Sequence, residues 1–152
     1  MAITVGTLAD SRYRAIVLGQ LTPILVASPD YLHTAPSLDS NDLIQHSLIQ
    51  LPWQQQAFVQ CQGQSMAYQS ERMLKTNTVS SAMHYAQSGL GIALLPARFI
   101  ASELETGSLV QVLPQYLGES RTVYAVHRYQ QALPLALQVL VQQLQQGFAI
   151  NR

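Results

Sequence analysis

Apolar and polar positions follow two different periods along the chain, and this predicts both strands and helices. Short apolar or alternating runs are typical of β-strands. From Ser47 to Lys75 the runs are short and broken by turn residues, which predicts an antiparallel meander. Elsewhere single strands are predicted at AITV (2–5), ILVAS (24–28), IALLP (92–96), LVQVLP (109–114) and TVYAVH (122–127).

Helices are predicted where the apolar spacing becomes helical and cap residues flank the run. Pro29 suits a first helical turn, Asn77, Thr78 or Ser80 can cap a helix start, and Gly89 can end one. The predicted helices are PDYLHT (29–34), SLDSNDLIQH (37–46), NTVSSAMHYAQSG (77–89), ARFIASELETG (97–107) and LPLALQVLVQQLQQGF (133–148).

The predicted helices each have an apolar face that should pack inward. Asp39 or Ser40 would cap the second helix. Strands and helices alternate, so the predicted fold class is α/β, with helices on the faces of a sheet. The first strand opens almost at Met1, and we therefore expect a piece of a longer protein. The expected inward residues are Leu43 and Ile44; Val79, Met83 and Ala86; Phe99, Ile100 and Leu104; and the stripe Leu133, Leu137, Leu140, Leu144 and Phe148.

Composition narrows the classes of function that the chain could have. Charged residues make up 11% of the chain and the formal net charge is zero, so clustered cations for nucleic acid are lacking. The lone Cys61 allows no internal disulfide. The start has no basic-then-apolar signal pattern, and no apolar run reaches the roughly 18 residues of a membrane span. We expect a cytoplasmic protein that does not enter the membrane.

Candidate catalytic patterns are weak. Gly89-x-Gly91 resembles a dinucleotide loop, but Leu94 occupies the third glycine position and the motif ends a helix instead of opening one. The stretch around Ser65 lacks the second glycine of a nucleophile elbow. The histidines lack metal-ligand spacing, the acidic residues look like loop or cap residues, and Trp53 is expected in the core. The chain is therefore predicted not to be an enzyme and to bind neither a metal nor a cofactor.

Six stretches together resemble the effector-binding domain of LysR-type transcriptional regulators. They are AITVGTLADS, LGQLTPILVASPDYL, LDSNDLIQHSLI, NTVSSAMHYAQSGLGIALLP, ETGSLVQVLP and VYAVH, in the family's order and spacing. The resemblance covers essentially the whole chain. It implies a periplasmic-binding-protein-like fold with two lobes and a ligand cleft between them.

The resemblance also implies a domain plan of one complete lobe plus remnants of the other. Residues 1–24 would be a remnant of the first lobe, 25–122 the second lobe, and 123–152 the return strand and C-terminal helix of the first. The runs ILVAS and VYAVH would be the neighbouring strands that cross between lobes.

The implied function is a regulatory domain that senses a small, anionic metabolite. The amides that open the helix after Thr78 would bind it, because a free helix N-terminus attracts anions. The alternative is that Asn77, Thr78 and Ser80 only cap that helix. The full set of expected ligand-binding residues is Gly6, Thr7, Asn77, Thr78, Val79, Ser80, Gly91 and Ile92.

The expected partners are the effector and further copies of the chain. DNA contact is expected only through a helix-turn-helix domain that this chain does not contain. Two other functions stay open from the residues. One is a solute-binding receptor of a transport system, which shares the architecture. The other is a small α/β enzyme, which the lack of a catalytic constellation disfavours.

Overall fold

The computed structural model describes residues 1–6, 13–38 and 43–150, without the side chains of 149 and 150. The chain divides into two compact units. The first unit contains Met1–Leu21 and Ser120–Arg152, and the second contains Thr22–Glu119. The second unit is therefore a continuous stretch, and the first is assembled from both ends of the chain.

Strands and helices alternate along the chain, with short 3-10 turns at Leu43–Gln45, Pro52–Gln54 and Ala97–Ile100. The helix predicted over 37–46 is wrong, since its described part holds only the first of these turns, and the strand Arg14–Leu21 was not predicted. In order, the strands and helices are β1 (Ala2–Val5), β2 (Arg14–Leu21), β3 (Pro23–Ala27), α1 (Pro29–Thr34), β4 (Ser47–Gln50), β5 (Phe58–Cys61), β6 (Gln64–Ala67), β7 (Arg72–Lys75), α2 (Val79–Gln87), β8 (Ile92–Pro96), α3 (Ala101–Thr106), β9 (Val110–Gln111), β10 (Leu117–Gly118), β11 (Arg121–His127) and α4 (Leu135–Ile150).

The first unit is a three-stranded sheet in the order β1-β11-β2, with both pairs antiparallel. Helix α4 packs on one face of this sheet, over a small core. Of the predicted stripe, Leu133, Leu144 and Phe148 pack against this core. Leu137 is half-buried, and Leu140 is 40% exposed, so its prediction is wrong. The core position is taken by Val141. The buried residues of this core are Leu18, Leu21, Val123, Ala125 and Val141.

The second unit is built on an eight-stranded mixed sheet. Seven strands follow the order β6-β5-β10-β3-β8-β4-β7, and β9 pairs with β3 off this path. Strand β3 is buried on both faces: Leu25 and Ala27 face one core, Ile24 and Val26 the other. An almost unbroken apolar run is what such a doubly covered strand requires.

Strand direction corrects the predicted antiparallel meander between residues 47 and 75. Strand β4 pairs parallel with both β7 and β8, and only the β5–β6 hairpin in this stretch is antiparallel. The hairpin thus lies in the connection between two parallel strands. Apolar residues alternate in the same way in parallel and antiparallel strands, so the pattern did not reveal the direction of the strands.

Two predicted inward residues on the helices of the second unit are also wrong. Ile44 is 63% exposed because Leu43–Gln45 forms a single 3-10 turn that buries Leu43 alone. Phe99 is 52% exposed because Ala97–Ile100 is a 3-10 turn that directs Ile100 into the core. The proposed caps Asp39 and Ser40 lie outside the described residues.

The expected neighbours ILVAS and VYAVH do not pair, because they belong to different sheets. Strand β3 pairs with β8, β9 and β10, whereas β11 pairs with β1 and β2. Instead, β11 pairs with β2, which precedes β3 in the chain, and β3 pairs with β10, which precedes β11.

Two buried side chains supplement the backbone ladder between β4 and β8, whose pairing covers only Leu48↔Ile92 and Ile49↔Ala93. The Tyr68 hydroxyl lies 2.6 Å from the Ile49 carbonyl oxygen and 3.0 Å from that of Ile92. The Gln54 amide donates to the Leu94 carbonyl at 2.8 Å. These side-chain hydrogen bonds add to the backbone pairing inside the core.

Candidate functional site

The carboxyl edge of the parallel strands in the second unit is the candidate site. Strands β4, β7 and β8 run in the same direction, with Gln50 opposite Lys75 at the ends of β4 and β7. Their following segments therefore leave the sheet at one edge. In open α/β sheets, ligands bind outside the carboxyl ends of such strands.

Helix α2 begins at this edge, one short loop after β7. Thr78 is its N-cap in an extended conformation, and its hydroxyl oxygen accepts from the Ser81 amide at 3.1 Å. The same hydroxyl donates to the Ser81 side chain at 2.9 Å. The amides of Val79 and Ser80 have no hydrogen-bond partner among the described residues. They leave the positive end of the helix dipole open to an anion.

Two cations lie on segments that leave the same edge. The second unit is acidic, with seven Asp and Glu residues against three Arg and Lys residues between positions 22 and 119. Of those three cations, Lys75 ends β7 and Arg98 lies on the 3-10 turn directly after β8. Two of the unit's three cations thus lie on segments at the carboxyl ends of β7 and β8, which favours an anionic ligand.

Trp53 also follows this edge, on the 3-10 turn after β4. It is 50% exposed, so the prediction of a core tryptophan is wrong. The neighbouring Gln54 is buried instead, because its side-chain oxygen accepts from the Leu51 amide while its amide reaches β8. Trp53 is the chain's one tryptophan and is a built-in fluorescence reporter for this edge.

The structure brings some predicted site residues together and separates others. Asn77, Thr78, Val79 and Ser80 form the start of α2. Gly91 and Ile92 lie beyond the other end of this nine-residue helix, about 13 Å along its axis.

Gly91 and Ile92 have structural roles in this unit, and their assignment as ligand contacts stays a prediction. A Cβ atom on Gly91 would lie 2.4 Å from the Ser47 carbonyl oxygen, so the glycine permits close approach of two strands. Ile92 is fully buried in the core. Gly89, with φ of 79°, ends α2 as predicted.

The two remaining predicted residues belong to the first part of the chain. Gly6 follows β1 in the first unit, and its amide donates to the Thr122 carbonyl at 3.0 Å. Thr7 lies outside the described residues. Gly6 therefore offers no free amide.

Sequence reasoning missed Lys75, Arg98 and Trp53. Lys75 is the last residue of β7, and Trp53 and Arg98 lie on the 3-10 turns that come after β4 and β8. Their common edge was not visible, because it depends on β4, β7 and β8 being parallel.

A buried polar cluster lies elsewhere in the second unit. The Tyr31 hydroxyl is 2.8 Å from Nδ1 of the buried His46 and accepts from the Ser47 amide at 3.2 Å. Desolvation by burial raises the pKa of Tyr31. The described residues contain no cluster of three His, Cys, Asp or Glu that could hold a metal, and no helix among them is suited to spanning a membrane.

A mixed α/β sheet whose parallel strands end beside a helix N-terminus defines a small-ligand-binding domain. Comparison with known proteins identifies the family to which this ligand-binding domain belongs. The chain matches the family model of the LysR substrate binding domain over residues 1–149. It belongs to that family, which contains the effector-binding domains of LysR-type transcriptional regulators, and its fold is periplasmic-binding-protein-like.

Curated relatives and solved structures agree with this family. The HTH-type transcriptional activator AaeR of Escherichia coli is 28% identical over 97% of this chain and 49% of its own. The HTH-type transcriptional regulator PtxR of Pseudomonas aeruginosa is 26% identical over 96% of this chain and 48% of its own. The chain thus spans about half the length of the curated relatives it matches.

Two solved structures show the likeness in three dimensions. The full-length virulence activator AphB of Vibrio cholerae shares 29% identity at a TM-score of 0.79, covering 95% of this chain and 50% of that one. The regulatory domain of AphB from Vibrio vulnificus shares 26% identity at a TM-score of 0.75, covering 93% of this chain and 72% of that one.

Proposed function

We propose that the chain is the part of a DNA-binding transcriptional regulator that senses a small anionic effector at the carboxyl edge of β4, β7 and β8. The match to the LysR substrate binding domain over residues 1–149 carries the regulatory role. The open amides of Val79 and Ser80, with Lys75 beside them in sequence, support the anionic class.

The mechanism we propose is a population shift. An effector changes a conformational equilibrium only by its differential affinity for the two states. Binding at the start of α2 would favour one conformation of the regulatory domain and so change how the full regulator occupies DNA. DNA contact would come from a helix-turn-helix domain elsewhere in the regulator, as in the relatives named for that motif.

Several further assignments belong to this proposal. The second unit would be a complete lobe and the first unit part of another, with Gly6 and Thr7 contributing effector contacts. The regulator would act in the cytoplasm, as an oligomer, and without enzymatic activity. The relatives' names as transcriptional regulators support this reading over a transport receptor.

The first test is a binding screen with small mono- and dicarboxylates on the chain itself. Trp53 fluorescence reports events at the edge, and the melting temperature reports binding anywhere. A ligand present at about one hundred times its Kd stabilises the folded state by roughly 2.7 kcal/mol, which is a shift of several degrees.

Matched variants locate the response. Lys75→Gln and Thr78→Val should weaken a carboxylate's effect, because they remove a cation and a hydroxyl beside the α2 amides. Arg72→Gln removes a cation from the opposite end of the same strand and should leave the effect unchanged. Equal weakening by Arg72→Gln, or no carboxylate response in the unmodified chain, would contradict the proposed site.

A further inference from the structure

The hairpin strand β6 forms one edge of the eight-stranded sheet. Its only strand partner among the described residues is β5, with Gln60 opposite Ser65 and Val59 opposite Met66. Gln64, Ser65 and Ala67 are exposed. One side of this strand is therefore an uncovered row of backbone groups.

The hydrogen-bond pattern shows which groups point outward. The hairpin turns tightly at Gln62 and Gly63, so Cys61 and Gln64 form its first hydrogen-bonded pair. Hydrogen-bonded pairs then recur at every second residue, and the Tyr68 amide accordingly donates to the Ala57 carbonyl at 3.0 Å. Alternate residues point the other way, so the backbone N–H and C=O groups of Ser65 and Ala67 face the open edge.

Apart from its length of four residues, this edge lacks the devices that natural sheets use to prevent pairing. Such edges are usually protected by charged side chains, proline or bulges. The other edge strand, β7, follows that rule with Arg72 and Lys75. Strand β6 reads Gln-Ser-Met-Ala and has neither charge nor proline.

A neutral groove of about 430 Å³ borders the same edge. Ser65 and Ala67 lie on its wall, and their side chains share a face of the hairpin with Phe58 and Gln60. The Gln60 amide donates to the Ser65 hydroxyl at 3.4 Å. The full lining is Gln56, Ala57, Phe58, Gln60, Ser65, Ala67 and Gln69, all uncharged.

We propose that β6 pairs antiparallel with β6 of a second copy of this chain, about a two-fold axis at Met66. Ser65 of each copy would then form a hydrogen-bonded pair with Ala67 of the other, and the pattern yields four new backbone hydrogen bonds. This register uses every outward group of the strand.

Self-complementarity argues for a second copy as the occupant. A two-fold interface brings each patch against its own copy, so like charges would repel. Amides both donate and accept, and the groove's glutamines can therefore pair with their own counterparts. The same operation at β7 would bring two Arg72–Lys75 strands together.

The test is sedimentation of the chain over a wide concentration range, with amide hydrogen exchange on the same samples. The chain should dimerise, and the Ser65 and Ala67 amides should exchange more slowly as concentration rises. The Gln64 and Met66 amides, already bonded to β5, should not respond to concentration.

Two variants make the result specific. Ala67→Pro removes only an outward N–H, which an edge strand tolerates, and eliminates two of the four bonds by symmetry. It should weaken dimerisation on the order of tenfold or more, whereas Ala67→Val keeps the amide and should not. Ser65→Lys places like charges on the shared edge and should also abolish the dimer.

A chain that stays monomeric, with fast exchange at Ser65 and Ala67, would overturn the proposal and leave the edge to another polypeptide or a neutral ligand. A dimer that survives both Ala67→Pro and Ser65→Lys would also overturn it. The carboxylate response of the α2 edge is independent of these variants, so each proposal can fail alone.

Discussion

Tyr68→Phe should destabilise the protein by removing one oxygen atom from the interior. The Tyr68 side chain is fully buried, and its hydroxyl lies within hydrogen-bond distance of the Ile49 and Ile92 carbonyl oxygens. One hydroxyl proton is shared by two acceptors, so the substitution removes one buried hydrogen bond with two possible acceptors. Loss of an intramolecular hydrogen bond costs about 0.5–1.5 kcal/mol.

For a chain of 152 residues, each kilocalorie lowers the melting temperature by roughly 2–4 °C, so a fall of about 1–6 °C is expected. Urea unfolding followed by Trp53 fluorescence and far-UV circular dichroism measures the free energy. Tyr116→Phe is the matched control, since Tyr116 is also buried but its hydroxyl has no hydrogen bond to the described residues. A Tyr68→Phe variant as stable as Tyr116→Phe would refute the assigned bridging role.

Three further predictions concern pH and backbone geometry. Burial raises the pKa of Tyr68, so the folded state keeps the hydroxyl proton while the unfolded chain loses it above about pH 10. Urea unfolding should therefore show the free energy of unfolding falling above that pH, by up to roughly 1.4 kcal/mol per pH unit. The fall should be smaller in Tyr68→Phe. Gly91→Ala should cost more than about 2 kcal/mol in thermal melts because its Cβ would lie 2.4 Å from the Ser47 oxygen, whereas Gly107→Ala, with φ of 82° in open space, should cost about 1 kcal/mol. Gln62→Asn should raise the melting temperature slightly, because Gln62 has φ of 47° in a two-residue turn that favours Asn-Gly; a lower melting temperature would contradict this turn geometry.

Local signals in the sequence predicted several of the elements. The apolar run of β3 is buried on both faces, and such a run has few other outcomes in a globular chain. The α2 cap at Thr78 and its end at Gly89 also follow from local chemistry. Each of these features depends on a few neighbouring residues.

Features that depend on distant partners were not predictable in the same way. At 139–141 the α4 sequence is Val-Leu-Val, so periodicity alone does not decide which residue faces the sheet. The direction of β7 relative to β4 is set by how the intervening hairpin packs, which no pattern within either strand records. The candidate site shared this difficulty: the start of α2 was found, but Lys75 was not placed beside it.

The interrupted first unit has a consequence for synthesis. Among the described residues, β1 and β2 pair only with β11, so this three-stranded sheet cannot form until Arg121–His127 has left the ribosome. The second unit is complete by Glu119 and can fold while translation continues. A nascent chain halted near that point would hold one finished unit and two early strands with exposed apolar residues, a natural client for chaperones.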